Sequence, residues 1–201
     1  MLGWLASDDT LSPGAVSRVV AELQREPAPM LVYGEALFVD EEGKELFPLE
    51  PRFFDPDEMR TRCENFVVQP GSLFTRRAWE LAGPLDEGSH YLFDFEFSLR
   101  VGEHGEVRSI PDRLATYRVH PESKSGGGSL LKARDYERFA ERFLQGTGRG
   151  RASAYLAAGD YFYDAGQLGD ARRTLVRSLR LRPTRRAAGL LGRTLVRSVV
   201  P

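Results

Sequence analysis

A chain of 201 residues with 41% hydrophobic and 28% charged residues has enough apolar side chain to bury a core, which excludes a disordered chain and predicts one compact domain plus an appendage. The formal net charge of −1 hides an asymmetry: residues 148–201 carry 11 arginines against 3 aspartates, a net of +8, which leaves −9 for residues 1–147. The single cysteine, Cys63, excludes an intrachain disulfide and favours a reducing compartment, and residues 1–9 lack the cationic stretch and long apolar run of a signal peptide or spanning helix, so a cytoplasmic chain is expected.

Residues 2–6 are a short apolar run ending in Ser7-Asp8-Asp9, as in a buried strand that delivers polar groups at its C-terminal edge. Ser12-Pro13-Gly14 then opens a helix, with Ser12 as N-cap, Pro13 in the first helical position, and Val16, Val19, Val20 and Leu23 on the inner face. Residues 30–33 and 36–39 read as two strands, and Asp40-Glu41-Glu42-Gly43 has the chemistry of a hairpin turn. Strand, helix, strand predicts an α/β fold class. Residues 47–63, rich in proline and aromatic side chains, read as a long loop with one helical turn near residues 57–61, and long loops in compact domains are often functional. Gln69-Pro70-Gly71-Ser72 leads into a short strand, residues 76–82 into a helix ended by Gly83, and residues 92–101 into a helix carrying acids among aromatics. Residues 107–110 and 115–119 close the sheet. Ser125-Gly126-Gly127-Gly128-Ser129 is a flexible joint, followed by a helix with Leu131, Tyr136, Phe139, Ala140, Phe143 and Leu144 at helical spacing. Residues 151–201 read as two helices joined at Gly166 and a third after Pro183.

Two features carry chemistry. Asp8 and Asp9, at the C-terminal edge of a strand, can hold a hard divalent cation that neutralises a diphosphate, although acidic pairs are also ordinary turn residues. Asp94 and Glu96 sit among apolar residues at a helix start. The helix macrodipole alone accounts for acids there, while apolar neighbours suit a carboxylate to accept a proton from a hydroxyl. His120 is a lone histidine at a strand end, where a structural role is ordinary.

The order of these segments resembles family-2 glycosyltransferases of the GT-A fold. Five blocks over residues 1 to about 124 carry the resemblance. They are Gly3-Trp4-Leu5-Ala6-Ser7-Asp8-Asp9 with Pro13-Gly14-Ala15 and Val32-Tyr33-Gly34-Glu35; Gln69-Pro70-Gly71-Ser72-Leu73-Phe74-Thr75-Arg76-Arg77-Ala78-Trp79; Gly83-Pro84-Leu85-Asp86-Glu87; His90-Tyr91-Leu92-Phe93-Asp94-Phe95-Glu96; and Tyr117-Arg118-Val119-His120 with Ser123-Lys124. The resemblance implies that Asp8 and Asp9 bind a divalent metal, Mn or Mg, with His120 as a further ligand or diphosphate contact. It implies Asp94 as general base for an inverting displacement from a nucleotide-sugar, and Glu96 as an acid that orients the acceptor. Trp4, Gln69, Trp79, Tyr91, Arg118 and Lys124 are the substrate-binding candidates, although core packing also accounts for the aromatics. Ala6 departs from the pattern, standing where many relatives carry Asp or Asn. The family's nucleotide-binding strands precede the acidic motif, so a chain that begins inside a strand and is N-terminally truncated is expected.

The expected organisation is a partial GT-A domain over residues 1–124, a linker and amphipathic helix over 125–150, and a helical hairpin with a terminal helix over 151–201. Tyr155, Gly159, Phe162, Gly166, Ala171, Leu175 and Pro183 resemble the spacing of a single tetratricopeptide-like repeat, with Ala158 and Ser178 departing from it. Such a hairpin docks on the catalytic domain or a protein partner. Arg193 and Arg197 among apolar residues of the last helix suit a capping helix or peripheral contact with an anionic membrane. The expected function is sugar transfer from a nucleotide-sugar donor to a glycan or lipid-linked acceptor. The alternative is a non-catalytic adaptor; nucleic acid is not an expected partner, because no reading motif accompanies the arginines.

Overall fold

The computed structural model describes residues 1–120 and 129–199; Ser123, Lys124 and the glycine run at 126–128 lie outside the described residues. The chain is a mixed α/β protein that divides into two compact units. The first contains Met1–Pro56, Asn65–Asp86 and Phe93–Gly127. The second contains Asp57–Glu64, Glu87–Leu92 and Gly128–Pro201.

A five-stranded sheet organises the first unit. Its strands are β1 (Thr10–Leu11), β2 (Leu31–Val39), β3 (Glu45–Leu49), β4 (Leu73–Phe74) and β5 (Val107–Arg118), in the order β1-β5-β2-β3 with β4 also on β2. β2 and β5 run parallel, and the other pairings are antiparallel. Each of these two long strands replaces a pair of short strands expected from the sequence. The register explains why: Tyr33 faces Ser109 and Glu35 faces Arg113, so β5 advances four residues while β2 advances two. Pro111, which has no N–H to give a ladder, sits in that bulge. Gly34 makes room for it, since a Cβ there would lie 2.5 Å from the Asp112 carbonyl oxygen and 2.7 Å from Leu114 Cγ. An apparent break in the pattern is therefore a bulge inside a continuous strand.

The strand expected at residues 2–6 does not form. Leu2 alone bridges Phe74, through bonds of 2.8 and 2.9 Å, and Leu5 is 41% exposed. Beyond Leu2 the segment is held by the Gln69 amide, which donates to the Trp4 carbonyl at 2.7 Å, and by a turn from Ala6 to Asp9. The first helix also starts later than Ser12-Pro13 predicts. Ser12 N–H donates to the Leu114 carbonyl at 2.9 Å and so still belongs to the sheet edge. Gly14, at φ 77°, is the N-cap of α1 (Ala15–Leu23). The inner face is turned accordingly: Ala15 and Val19 pack with Val32, Ile110 and Leu114, while Val16 is exposed.

The hairpin from β2 to β3 turns at Asp40, whose Oδ1 accepts Lys44 N–H at 2.8 Å, with Gly43 in the left-handed region. The loop expected from residue 47 begins later, because β3 runs to Leu49. α3 (Arg76–Ala82) is capped by Thr75, whose hydroxyl accepts Ala78 N–H at 3.0 Å, and ends at Gly83. α4 (Phe93–Gly102) follows.

The second unit is helical. It holds most of α2 (Pro56–Arg62), which is longer than the single turn expected, with α5 (Ser129–Arg142), α6 (Gly148–Asp164), α7 (Leu168–Leu181) and α8 (Arg185–Val199). α6 and α7 form an antiparallel hairpin: Ser178 Oγ donates to the Ala152 carbonyl at 2.8 Å at the open end, and Gly159 meets Leu175 midway along. Ala133, Ala158, Phe162 and Ala171 are the buried centre, where small side chains let the helices approach closely. Residues 57–64 join this unit through Ser153 Oγ, which donates to the Thr61 carbonyl at 3.1 Å, and residues 87–92 through the buried Asp135, which accepts His90 N–H and Tyr91 N–H at 2.7 Å each. No described helix is long and apolar enough to cross a membrane.

Candidate functional site

The acidic pair lies in the turn before β1, and the pairing of β1 with β5 sets it beside the end of that long strand. Asp8 and Asp9 then face different surroundings. Asp8 is partly exposed, and its Oδ2 lies 2.9 Å from His120 Nε2. Hydrogen bonding to that imidazole, helped by a backbone N–H, holds the Asp8 carboxyl below the usual carboxylate range. Asp9 is 6% exposed and points inward, where its Oδ1 accepts Arg118 N–H at 3.0 Å. Its Oδ2 is buried and accepts no hydrogen bond among the described residues. Burial pushes the Asp9 carboxyl up, against the lowering effect of the Arg118 N–H.

Arg118 fastens this corner. Its guanidinium donates to the carbonyls of Asp8 at 3.3 Å, Asp40 at 3.1 Å and Glu41 at 2.7 Å, which ties the acidic turn to the β2–β3 hairpin. The side chain suggested as a substrate contact thus has backbone partners of its own.

Asp94 lies in the first turn of α4. Its Oδ2 accepts Asn65 Nδ2 at 3.2 Å, and Asn65 is in turn oriented by Val67 N–H, which donates to its Oδ1 at 3.1 Å. Nothing in the sequence around Asn65 marks it as a partner of Asp94, since the two are 29 residues apart and joined only by the fold. Glu96, two residues on, is 1% exposed.

Trp4 sits within an aromatic group, with ring centroids 5.4 Å from Phe74, 5.9 Å from Phe93 and 5.6 Å from Phe97. Trp79 joins it, 6.2 Å from Phe74 and 5.8 Å from Phe97. Gln69 spends its amide donor on the Trp4 carbonyl. This group links the segment that carries the acidic turn to the start of the helix that carries Asp94. Tyr91 belongs to the helical unit, where the Lys132 ammonium lies 5.2 Å from its ring. Lys124 lies outside the described residues.

Asp8, Asp9, Arg118 and His120 are therefore brought together from the two ends of the first unit. Among the described residues, no group of three or more His, Cys, Asp or Glu side chains has the spacing of a complete metal site. A carboxylate beside an imidazole nonetheless offers two ligating atoms. Once the proton they share has left, this oxygen and nitrogen pair can contribute two of the ligands of a divalent cation. Neither a scan of protein-family models nor a search of curated proteins returns a match to this chain.

Proposed function

We propose that the chain is the catalytic part of an inverting glycosyltransferase of the GT-A fold, which moves a sugar from a nucleotide-sugar to a hydroxyl of a glycan or lipid-linked acceptor. The observation that carries the reading is the Asp8–His120 contact at 2.9 Å, which joins two of the family-like segments across 112 residues of sequence. Asp8 and His120 would hold a manganese or magnesium ion. When bound, that ion offsets the charge of the departing nucleoside diphosphate. Asp9 anchors the turn by accepting the Arg118 N–H, and Arg118 fixes the same turn against the β2–β3 hairpin. Asp94, held by Asn65, takes the proton of the acceptor hydroxyl as it attacks the anomeric carbon in line. Glu96, buried two residues on, acts on the acceptor only through the helical turn it shares with Asp94. The α6–α7 hairpin offers a surface to a protein partner.

The test is calorimetric titration of the whole chain with UDP, GDP and dTDP, with and without Mn²⁺. Saturable binding of one diphosphate that requires the ion, and that is lost in Asp8→Ala and in His120→Ala, supports the reading. Asp94→Asn should retain that binding and reduce sugar transfer by roughly 10²–10⁴-fold, the usual contribution of a general base. Absence of ion-dependent binding to all three diphosphates would overturn the reading in favour of a partner-binding role.

A further inference from the structure

The helical unit contains a cavity of about 660 Å³ between the C-terminal end of α5, the start of α6 and the end of α7. Its wall includes Glu141, Gln145, Arg151, Tyr155, Arg177 and Arg180. Three arginines and one glutamate line this space. The arginines are not all neutralised by each other's neighbours. Arg177 contacts Glu141 at 3.1 Å and Glu137 at 3.2 Å, and Glu137 also holds Arg173. Arg180 forms no ion pair among the described residues, and the Nε of Arg151 is buried with no hydrogen-bond partner among them. A buried N–H left unmatched costs free energy, so an acceptor supplied from outside would be favoured there.

Tyr155 organises the cluster. Its ring is 3% exposed, with the Arg177 guanidinium carbon 5.5 Å and the Arg151 guanidinium carbon 5.9 Å from the ring centroid. Two guanidinium groups that would otherwise repel are held near one aromatic ring and lose little freedom on meeting a ligand. Planar, always-charged forks of this kind match the oxygens of a phosphate, and the volume lies within the range of small-molecule sites.

We propose that this cavity binds the dianionic phosphate group of a small phosphomonoester, through Arg151, Arg177 and Arg180. A dianion matches Arg151 and Arg180, the two lining arginines without an ion pair among the described residues, whereas a single carboxylate leaves one of them unmet. The site is separate from the Asp8–His120 pair and does not depend on any reading of that pair.

The experiment is titration of the whole chain, in EDTA to remove divalent ions, with phenyl phosphate, benzoate and a phosphoserine peptide. Phenyl phosphate should bind saturably and at least ~10-fold more tightly than benzoate, the gain expected of an added charge-assisted contact. Arg180→Gln should weaken it by about 10-fold, and Arg151→Gln by a similar factor, with helical circular dichroism unchanged. Arg180 is exposed and without an ion pair among the described residues, so its variant keeps the test decisive if Arg151→Gln fails to fold. Three outcomes would overturn the proposal: no saturable binding, binding unchanged in Arg180→Gln, or benzoate bound as tightly as phenyl phosphate. Tighter binding of the peptide than of phenyl phosphate would overturn the assignment to a small molecule.

Discussion

Gly159, in the middle of α6, tests how closely the helical hairpin is packed. In an exposed helix Gly→Ala stabilises by about 1 kcal/mol, because alanine has less backbone freedom to lose. At Gly159 a Cβ would lie 2.6 Å from Leu175 Cγ, 2.7 Å from its Cδ2 and 3.2 Å from Thr174 Oγ1. Neither neighbour withdraws readily: Leu175 is fully buried, and the Thr174 hydroxyl bonds to the carbonyls of Asp170 at 2.9 Å and Ala171 at 3.0 Å. Overpacking of this kind costs about 1–3 kcal/mol, so Gly159→Ala should be net destabilising by about 0–2 kcal/mol. Gly189 and Gly192 in α8 are the controls, since a Cβ at either meets nothing within 4 Å. Their alanine variants should each stabilise by about 1 kcal/mol, raising the melting temperature of a chain this size by roughly 2–4 °C. Urea and thermal unfolding followed at 222 nm measures the difference. A Gly159→Ala variant stabilised as much as Gly189→Ala would refute the close crossing of α6 and α7.

Asp135→Ala should destabilise the helical unit by about 2–3 kcal/mol, because two backbone N–H groups lose a charged acceptor; a change under ~0.5 kcal/mol in urea unfolding would contradict that role. Burial pushes the Cys63 thiol up to about 12. At pH 8 the thiolate fraction is then on the order of 10⁻⁴, so native Cys63 should react with iodoacetamide at least ~10³-fold more slowly than in denaturant. Comparable rates would show the thiol to be accessible. Gly34→Ala drives a Cβ onto the Asp112 backbone oxygen, which cannot rotate away, and should cost about 3 kcal/mol or prevent folding of the sheet. Wild-type stability in that variant would remove the account of the bulge.

Local chemistry was legible where one short segment contains its own instructions. Thr75 and Gly83 punctuate α3, Asp40 and Gly43 make the hairpin turn, and the small residues of α6 and α7 announce a close helical pair. What the sequence concealed depends on partners far along the chain. Ser12 looks like an N-cap, but the helix begins only after Gly14, and residues 30–39 look like two strands until the β5 bulge accounts for Gly34. Asn65 is silent because its relation to Asp94 exists only in the fold. Residues 57–64 and 87–92 join the helical unit through backbone contacts to Ser153 and Asp135, which no periodicity within those segments could reveal. Asp8, Asp9, Arg118 and His120 stood out as residue types, and the fold makes them neighbours. The division of labour among them was not legible.

That division is clearest for the two adjacent carboxylates. The sequence presents Asp8 and Asp9 as one motif, yet Asp8 turns toward His120 and Asp9 turns inward to the Arg118 N–H. Under the proposed function, Asp8 ligates and Asp9 positions. Asparagine separates the two roles, because its carbonyl oxygen can still accept a backbone N–H while it is a poor replacement for a carboxylate on a hard cation. Asp9→Asn should therefore keep Mn²⁺-dependent diphosphate affinity within about threefold of the wild type, whereas Asp8→Asn should weaken it by at least about 10-fold, the loss of one charged ligand. Titration of both variants, with melting curves to confirm folding, decides the matter. If Asp9→Asn loses affinity as fully as Asp8→Asn while remaining folded, Asp9 reaches the ion after all, and its inward hydrogen bond must yield when the ion binds.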